Sequence, residues 1–136
     1  MSAETQLRLT ERWLALEHEA IWVLGLVGAR FPDLAGAARK DLAAHRTTRD
    51  RLGGVVESLG GRPAGPRPSY AVTDPRDAAA ARALVQDVES RIAATCVRLV
   101  AVTEDKARDR AVRGLRTAAL GQVRWGAEPE PFPGLD

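Results

Sequence analysis

The stretch Gly60-Gly61-Arg62-Pro63-Ala64-Gly65-Pro66-Arg67-Pro68-Ser69-Tyr70-Ala71-Val72-Thr73-Asp74-Pro75 decides the fold. Residues 62–73 hold three prolines and show no helical period, so they form a link between helices. Gly60-Gly61 reads as the C-cap of the helix before it. Asp74 reads as an N-cap, with Pro75 at the first helical position of the helix after it. Extended at ~3.1 Å per residue, a link of about 14 residues reaches roughly 43 Å. A helix of about 26 residues is roughly 39 Å long at ~1.5 Å per residue. The link can therefore run the full length of a helix and start the next one at the opposite end. An up-down-up-down bundle has no need of such a link, so the expectation is a four-helix bundle with one long crossover between helices two and three. The competing reading is a loose surface loop.

Apolar residues recur at steps of three and four on both sides of the link. The first helix, about 4–30, carries Leu9, Trp13, Leu16, Ala20, Val23 and Val27, with Leu14, Glu17, Ile21 and Leu24 in a parallel row. Pro32 limits it. The second helix, about 34–59, turns Leu34, Ala38, Leu42, His45, Leu52, Val56 and Leu59 inward, and Gly53-Gly54 within it reads as a bend or a close contact. The third, about 75–102, buries Ala81, Val85, Val88, Ile92, Leu99 and Val102. Thr103 is the expected N-cap of the fourth, about 104–125, whose inner row is Ala111, Leu115, Ala118, Gln122 and Trp125. A tail, 126–136, follows, with Phe132 and Leu135 as its expected pins to the bundle. The fold class is all-α, one domain over residues 1–136, with no repeat or strand signal.

Composition narrows the function classes. With 45% hydrophobic and 28% charged residues the chain is an ordinary globular one. A lone cysteine, Cys96, cannot form an internal disulfide and reads as a small core residue. Met1-Ser2-Ala3-Glu4-Thr5 does not resemble a signal peptide, and no apolar run is long enough to span a bilayer. The expected location is the cytoplasm, without a membrane partner. A net charge of +2 is mild. Lys106, Arg110 and Arg113 form a basic row on helix four, but Asp105 and Asp109 interleave it and no aromatic platform accompanies it, which argues against nucleic acid.

The chemistry question reduces to polar groups on apolar faces: Glu17, His45, Glu89 and Gln122, one per helix. Di-iron bundles have a related layout, with one Glu from each of two helices and a Glu-x-x-His pair from each of the others. Here the residue three before His45 is Leu42, and helix four offers only Ala119 and Gln122 at that spacing. Glu17, His45 and Glu89 remain as a metal-ligand set, enough for one ion with an open position. The bland reading is a buried hydrogen-bond network of Glu17, His45, Arg49, Glu89 and Gln122, because a buried carboxylate needs a partner. Asp41 with His45 reads as a surface i, i+4 pair. In Glu17-His18-Glu19, successive residues point about 100° apart and cannot converge, so one faces inward and the others face solvent or a partner. No catalytic dyad is visible: His45 has no nucleophile beside it.

Several segments, in this order, resemble an actinobacterial ferritin-like domain family of unknown function. They are Glu17-His18-Glu19-Ala20-Ile21-Trp22, Ala44-His45-Arg46 through Arg49-Asp50, Pro68-Ser69-Tyr70-Ala71 and Phe132-Pro133-Gly134-Leu135. The resemblance implies a ferritin-like bundle without a complete di-iron site, and it implies no reaction, substrate or partner. The expected function is a non-catalytic scaffold or interaction module without a cofactor. Its expected partner is a second copy or another protein, and Trp22 and the tail are the contact points. The alternative is a degenerate metal-binding or redox protein with one iron, manganese or zinc ion at Glu17, His45 and Glu89.

Overall fold

The prolines and glycines flagged in the sequence divide the chain into helices α1 (Ala3–Arg30), α2 (Ala35–Ser58), α3 (Ala78–Val102) and α4 (Asp105–Arg124). This is the architecture of a computed structural model that describes residues 3–135. Met1, Ser2 and Asp136 of the expected single domain lie outside the described residues. Pro32–Leu34 forms one 3-10 turn between α1 and α2. No strand occurs among the described residues.

The link 59–77 follows α1 from one end to the other. At its start, Gly61 lies so close to Leu7 and Glu11 that a Cβ there would come within 2.8 Å of Leu7 Cδ1. His18 Nε2 is 2.9 Å from the Ala64 carbonyl oxygen. The Tyr70 ring packs on Trp22 at a centroid distance of 5.8 Å, and Asp74 pairs with Arg30 at the last turn of α1. The link therefore carries the chain the length of the bundle. α2 and α3 both begin beside the C-terminal end of α1, where Ala38 and Ala81 share one cluster with Val27, and they run parallel. That is the expected crossover.

The helix ends have local causes. Gly60, at φ +87, lets Gly61 N–H donate to Val56 O and Gly60 N–H donate to Glu57 O, which satisfies the last carbonyls of α2. Gly126, at φ +100, does the same for α4 through Ala127 N–H to Gln122 O. The start of α3 differs from expectation: Asp77 is the N-cap, accepting from Ala80 N–H at 2.8 Å, while Asp74 is drawn to Arg30 and Pro75 is buried in the link. Thr103 does not cap α4 with its side chain; its hydroxyl donates back to Leu99 O at 2.6 Å, and Glu104 is the N-cap residue.

Packing follows the apolar rows. α1 lies along α2 and on α3, and α3 lies along α4, while α2 and α4 have no comparable interface. The buried residues fall into two clusters. One gathers Leu9, Trp13, Leu16, Leu52, Val56, Ile92, Cys96 and Leu99. The other gathers Val23, Leu24, Val27, Leu34, Ala38, Val85 and Trp125. Glu17, His45 and Glu89 occupy the layer between them. On α4 the inward position of this layer is Gly121, where the sequence pattern had suggested Gln122. A Cβ at Gly121 would come within 2.5 Å of Glu89 Oε2, so only glycine allows α4 this close. Phe132 and Leu135 do not pin the tail, being 70% and 63% exposed. Gly134 does, at φ +81 against Val97 and the Ala93 carbonyl.

Gly53 and Gly54 neither bend α2 nor mark a close approach, since a Cβ at either would meet nothing within 4 Å. Their backbone freedom in the unfolded chain is lost on folding without a packing return. Gly53→Ala and Gly54→Ala are each expected to raise stability by about 0.5–1 kcal/mol, measured by urea unfolding with an unchanged m-value.

Candidate functional site

Glu17, His18 and Glu19 diverge around α1, and each meets a different element. His18 ties the link through Ala64 O, and Glu19 pairs with Arg91 of α3. Glu17 points into the bundle, where its Oε1 lies 2.8 Å and its Oε2 3.2 Å from His45 Nδ1. On the other side of the same ring, His45 Nε2 lies 2.6 Å from Glu89 Oε1. Three of the residues singled out in the sequence thus form one linear unit, a carboxylate, an imidazole and a carboxylate, contributed by α1, α2 and α3. The two carboxylates are almost wholly buried, and the His45 side chain is 12% exposed.

This arrangement fixes the charge on the ring. Burial by itself lowers the pKa of His45, but hydrogen bonds to Glu17 and Glu89, together with their charge, overcome that and raise it from 6.5 to about 10. At neutral pH His45 is an imidazolium with both N–H groups donated. Burial pushes the Glu89 carboxyl above its ordinary value, and the bond to His45 pulls against that. Cys96 lies nearby, fully buried, with its thiol pushed up by the same burial, so it is an inert core residue.

Two other members of the expected network stand elsewhere. Arg49, on the outer side of α2, pairs with Asp50 at 3.0 Å. Gln122 lines a shallow groove against the tail, beside Glu128 and Pro129. Asp41 is not a partner of His45 at the surface. It accepts the Trp125 indole N–H at 2.6 Å and lies 3.4 Å from Arg124, which ties α2 to the end of α4.

Above the charged unit, the missing α2–α4 interface leaves a trough of about 190 Å3. Small residues keep it open: Ala44 and Thr48 from α2 face Gly114, Thr117 and Ala118 from α4. Gly114 is required there, because a Cβ would overlap the six-membered ring of Trp13 and come within 2.9 Å of Cys96 Sγ. Buried Trp13, Leu52 and Ile92 line its base together with Glu17 and Glu89. Arg51, Arg110, Arg113 and Arg124 also line it. The Trp13 indole nitrogen is buried without a hydrogen-bond partner. Sequence reasoning placed Arg110 and Arg113 on a basic face but missed Arg51 and the trough, because helical period says nothing about a gap between two helices. The stripe of small residues on α2 and α4 was the available signal.

The donor set can be tested against a di-iron centre. Such a centre needs two Glu-x-x-His pairs, and here Leu42 and Gly121 occupy inward positions where ligands would be required. Both nitrogens of His45 are engaged by carboxylates, so a metal would have to displace one of these contacts together with its proton. The residues present do not fit a di-iron group. Among the described residues no set of three or more His, Cys, Asp or Glu side chains has the convergence a metal ion needs.

Comparison with known proteins agrees with this picture of fold without assigned chemistry. A family model described as Domain of unknown function (DUF4439) matches residues 10–136. A crystal structure of a conserved hypothetical protein from Mycobacterium tuberculosis is similar at a TM-score of 0.85 and 23% identity, covering 92% of this chain and 97% of that one. No curated protein matches the chain. No helix among the described residues is long and apolar enough to cross a membrane.

Proposed function

We propose for this chain, which belongs to the DUF4439 family, a non-catalytic role as a ferritin-like binding module in which a buried charge network stands where ferritin-like bundles hold metal. The topology supports the first half of the reading. The long crossover along α1, with α2 and α3 parallel, is the connection of ferritin-like bundles. The observation that carries the second half is the engagement of both His45 ring nitrogens by carboxylates, at 2.8 and 2.6 Å. One imidazolium bridges the two carboxylates, and both of its nitrogens are taken up in doing so. The thiol nearby, Cys96, is buried with its pKa pushed up, so among the described residues the unit has no activated nucleophile as a second participant. The module would act through its surface and its trough, alone or as a homodimer.

One other reading, a single bound iron, manganese or zinc ion, rests on three ligand-type side chains meeting in one layer, with Glu17 and Glu89 each within 2.8 Å of a His45 ring nitrogen. Elemental analysis of protein purified without chelator separates the two. Far less than one metal per chain is expected. One equivalent of iron, manganese or zinc that disappears in Glu17→Ala and His45→Ala would establish the metal-binding reading instead.

A further inference from the structure

The trough carries an asymmetry of charge that the buried Glu17–His45–Glu89 unit does not explain. At one end Arg124 is neutralised by Asp41. At the other, Arg51 of α2 faces Arg110 and Arg113 of α4, and none of these three has an ion-pair partner among the described residues. The three charges act on one another across the gap: burial, then Arg113 and Arg51, push the Arg110 guanidinium below its ordinary value. Arginine does not escape such repulsion by losing its proton. Protein surfaces commonly intersperse the two signs. Three uncompensated guanidiniums brought together from two helices beside an open trough make a site of high positive potential, and guanidinium forks match phosphate and carboxylate oxygens in pairs.

We propose that this end of the α2–α4 trough binds a small organic anion with two or more negative charges, a phosphate monoester or a polycarboxylate, held by Arg51, Arg110 and Arg113. The proposal deepens the binding-module reading and rests on it. The trough's volume of about 190 Å3 suits a compact ligand. The position along the trough follows from the acids. Arg51 is six residues beyond His45 on α2, roughly 9 Å along the helix, so the anion's charge sits away from Glu17 and Glu89. Its body would lie toward Trp13 and Leu52, which line the same space. The Trp13 indole, which lines the trough and lacks a hydrogen-bond partner, serves to report its arrival.

Calorimetric titration of the full chain with inorganic phosphate and, separately, with citrate tests the proposal, with glucose as the uncharged control. Saturable one-to-one binding of at least one of the anions is expected, accompanied by a shift of the Trp13 indole N–H resonance. Phosphate alone would assign a phosphate ester, and citrate alone a polycarboxylate. Arg110→Gln and Arg113→Gln are each expected to weaken binding roughly tenfold or more. Arg116→Gln, on an exposed part of α4 outside the trough, is expected to leave it unchanged. All three arginines stand at or near the surface, and unchanged far-ultraviolet dichroism would confirm that the variants fold. No saturable binding by either anion below about 10 mM, or equal loss in Arg116→Gln, overturns the proposal. So does retention of a short RNA through the same arginines when neither small anion binds. Metal-free protein that ignores both anions would remove this inference and leave the metal-free charge network standing.

Discussion

Replacing His45 with alanine is expected to lower the unfolding free energy by about 3–5 kcal/mol, because it leaves two buried carboxylates without their shared cation. Glu17 and Glu89 are nearly inaccessible to water, and among the described residues neither has a basic partner other than His45. For 136 residues, with about 2.1 cal/mol/K of unfolding entropy each, that loss corresponds to a fall of roughly 10–17 °C in the melting temperature. The sharper version replaces the whole unit. A triple variant, Glu17→Met, His45→Leu and Glu89→Met, removes all three charges while keeping similar volumes, and is expected to recover most or all of the lost stability. Thermal unfolding of the two proteins side by side makes the measurement. If the single variant is as stable as the parent, the unit does not hold the layer together as described. If the triple variant is no better than the single one, unpaired buried charge is not what destabilises the single variant.

The second large effect is on the dependence of stability on pH. His45 is raised in the folded protein from 6.5 to about 10, so the native state binds its proton more tightly than the unfolded chain. The stabilisation is fully present below pH 6.5 and is lost as pH rises toward and through about 10. The limiting slope for one proton is about 1.4 kcal/mol per pH unit. The Glu89 shift has the same sign, because a carboxyl raised by burial also favours the protonated, lower-pH form of the native state. Denaturant unfolding at intervals between pH 6.5 and 10 is therefore expected to show stability falling steadily. The triple apolar variant is expected to be nearly flat up to the ordinary thiol value of 9.0, above which the buried Cys96, also raised, lowers stability in both proteins. A parent protein that is flat, or that gains stability toward alkaline pH, would show that the imidazolium is not held between the two carboxylates.

Most of this architecture was readable in the sequence, for reasons that lie in particular residues. The crossover was legible because Pro63, Pro66 and Pro68 exclude helix over a stretch long enough to traverse the bundle. Structure puts that stretch against Leu7, His18, Trp22 and Arg30 in turn. The trio Glu17, His45 and Glu89 was legible as polar breaks in apolar rows, one on each of three helices. Gln122 was misassigned because period alone cannot tell adjacent positions at the edge of a face apart. The close approach of α4 over Glu89 demands the glycine at 121, and a residue with no side chain leaves no mark in a hydrophobic pattern. Asp74 and Asp77 both suit an N-cap, and the tertiary contact of Asp74 with Arg30 decided between them. The trough was not legible, because it depends on which two helices fail to pack. Its basic end was half visible, as Arg110 and Arg113, while Arg51 belonged to another helix and joined them only in three dimensions.

The fold, shared with a mycobacterial protein at a TM-score of 0.85, does not carry an activity with it. What the interior holds is a charged layer between two apolar clusters and a trough opening onto it. The central claim is that the layer is locked by an imidazolium whose two nitrogens both carry protons. Nitrogen-15 correlation spectra of the His45 ring, recorded from pH 5 to 11, test that most directly. Both ring nitrogens are expected to stay protonated through neutral pH, with a single transition near 10 that is absent in His45→Ala. A transition near the ordinary 6.5, or one nitrogen without a proton at pH 7 in protein that carries an equivalent of metal, would contradict it.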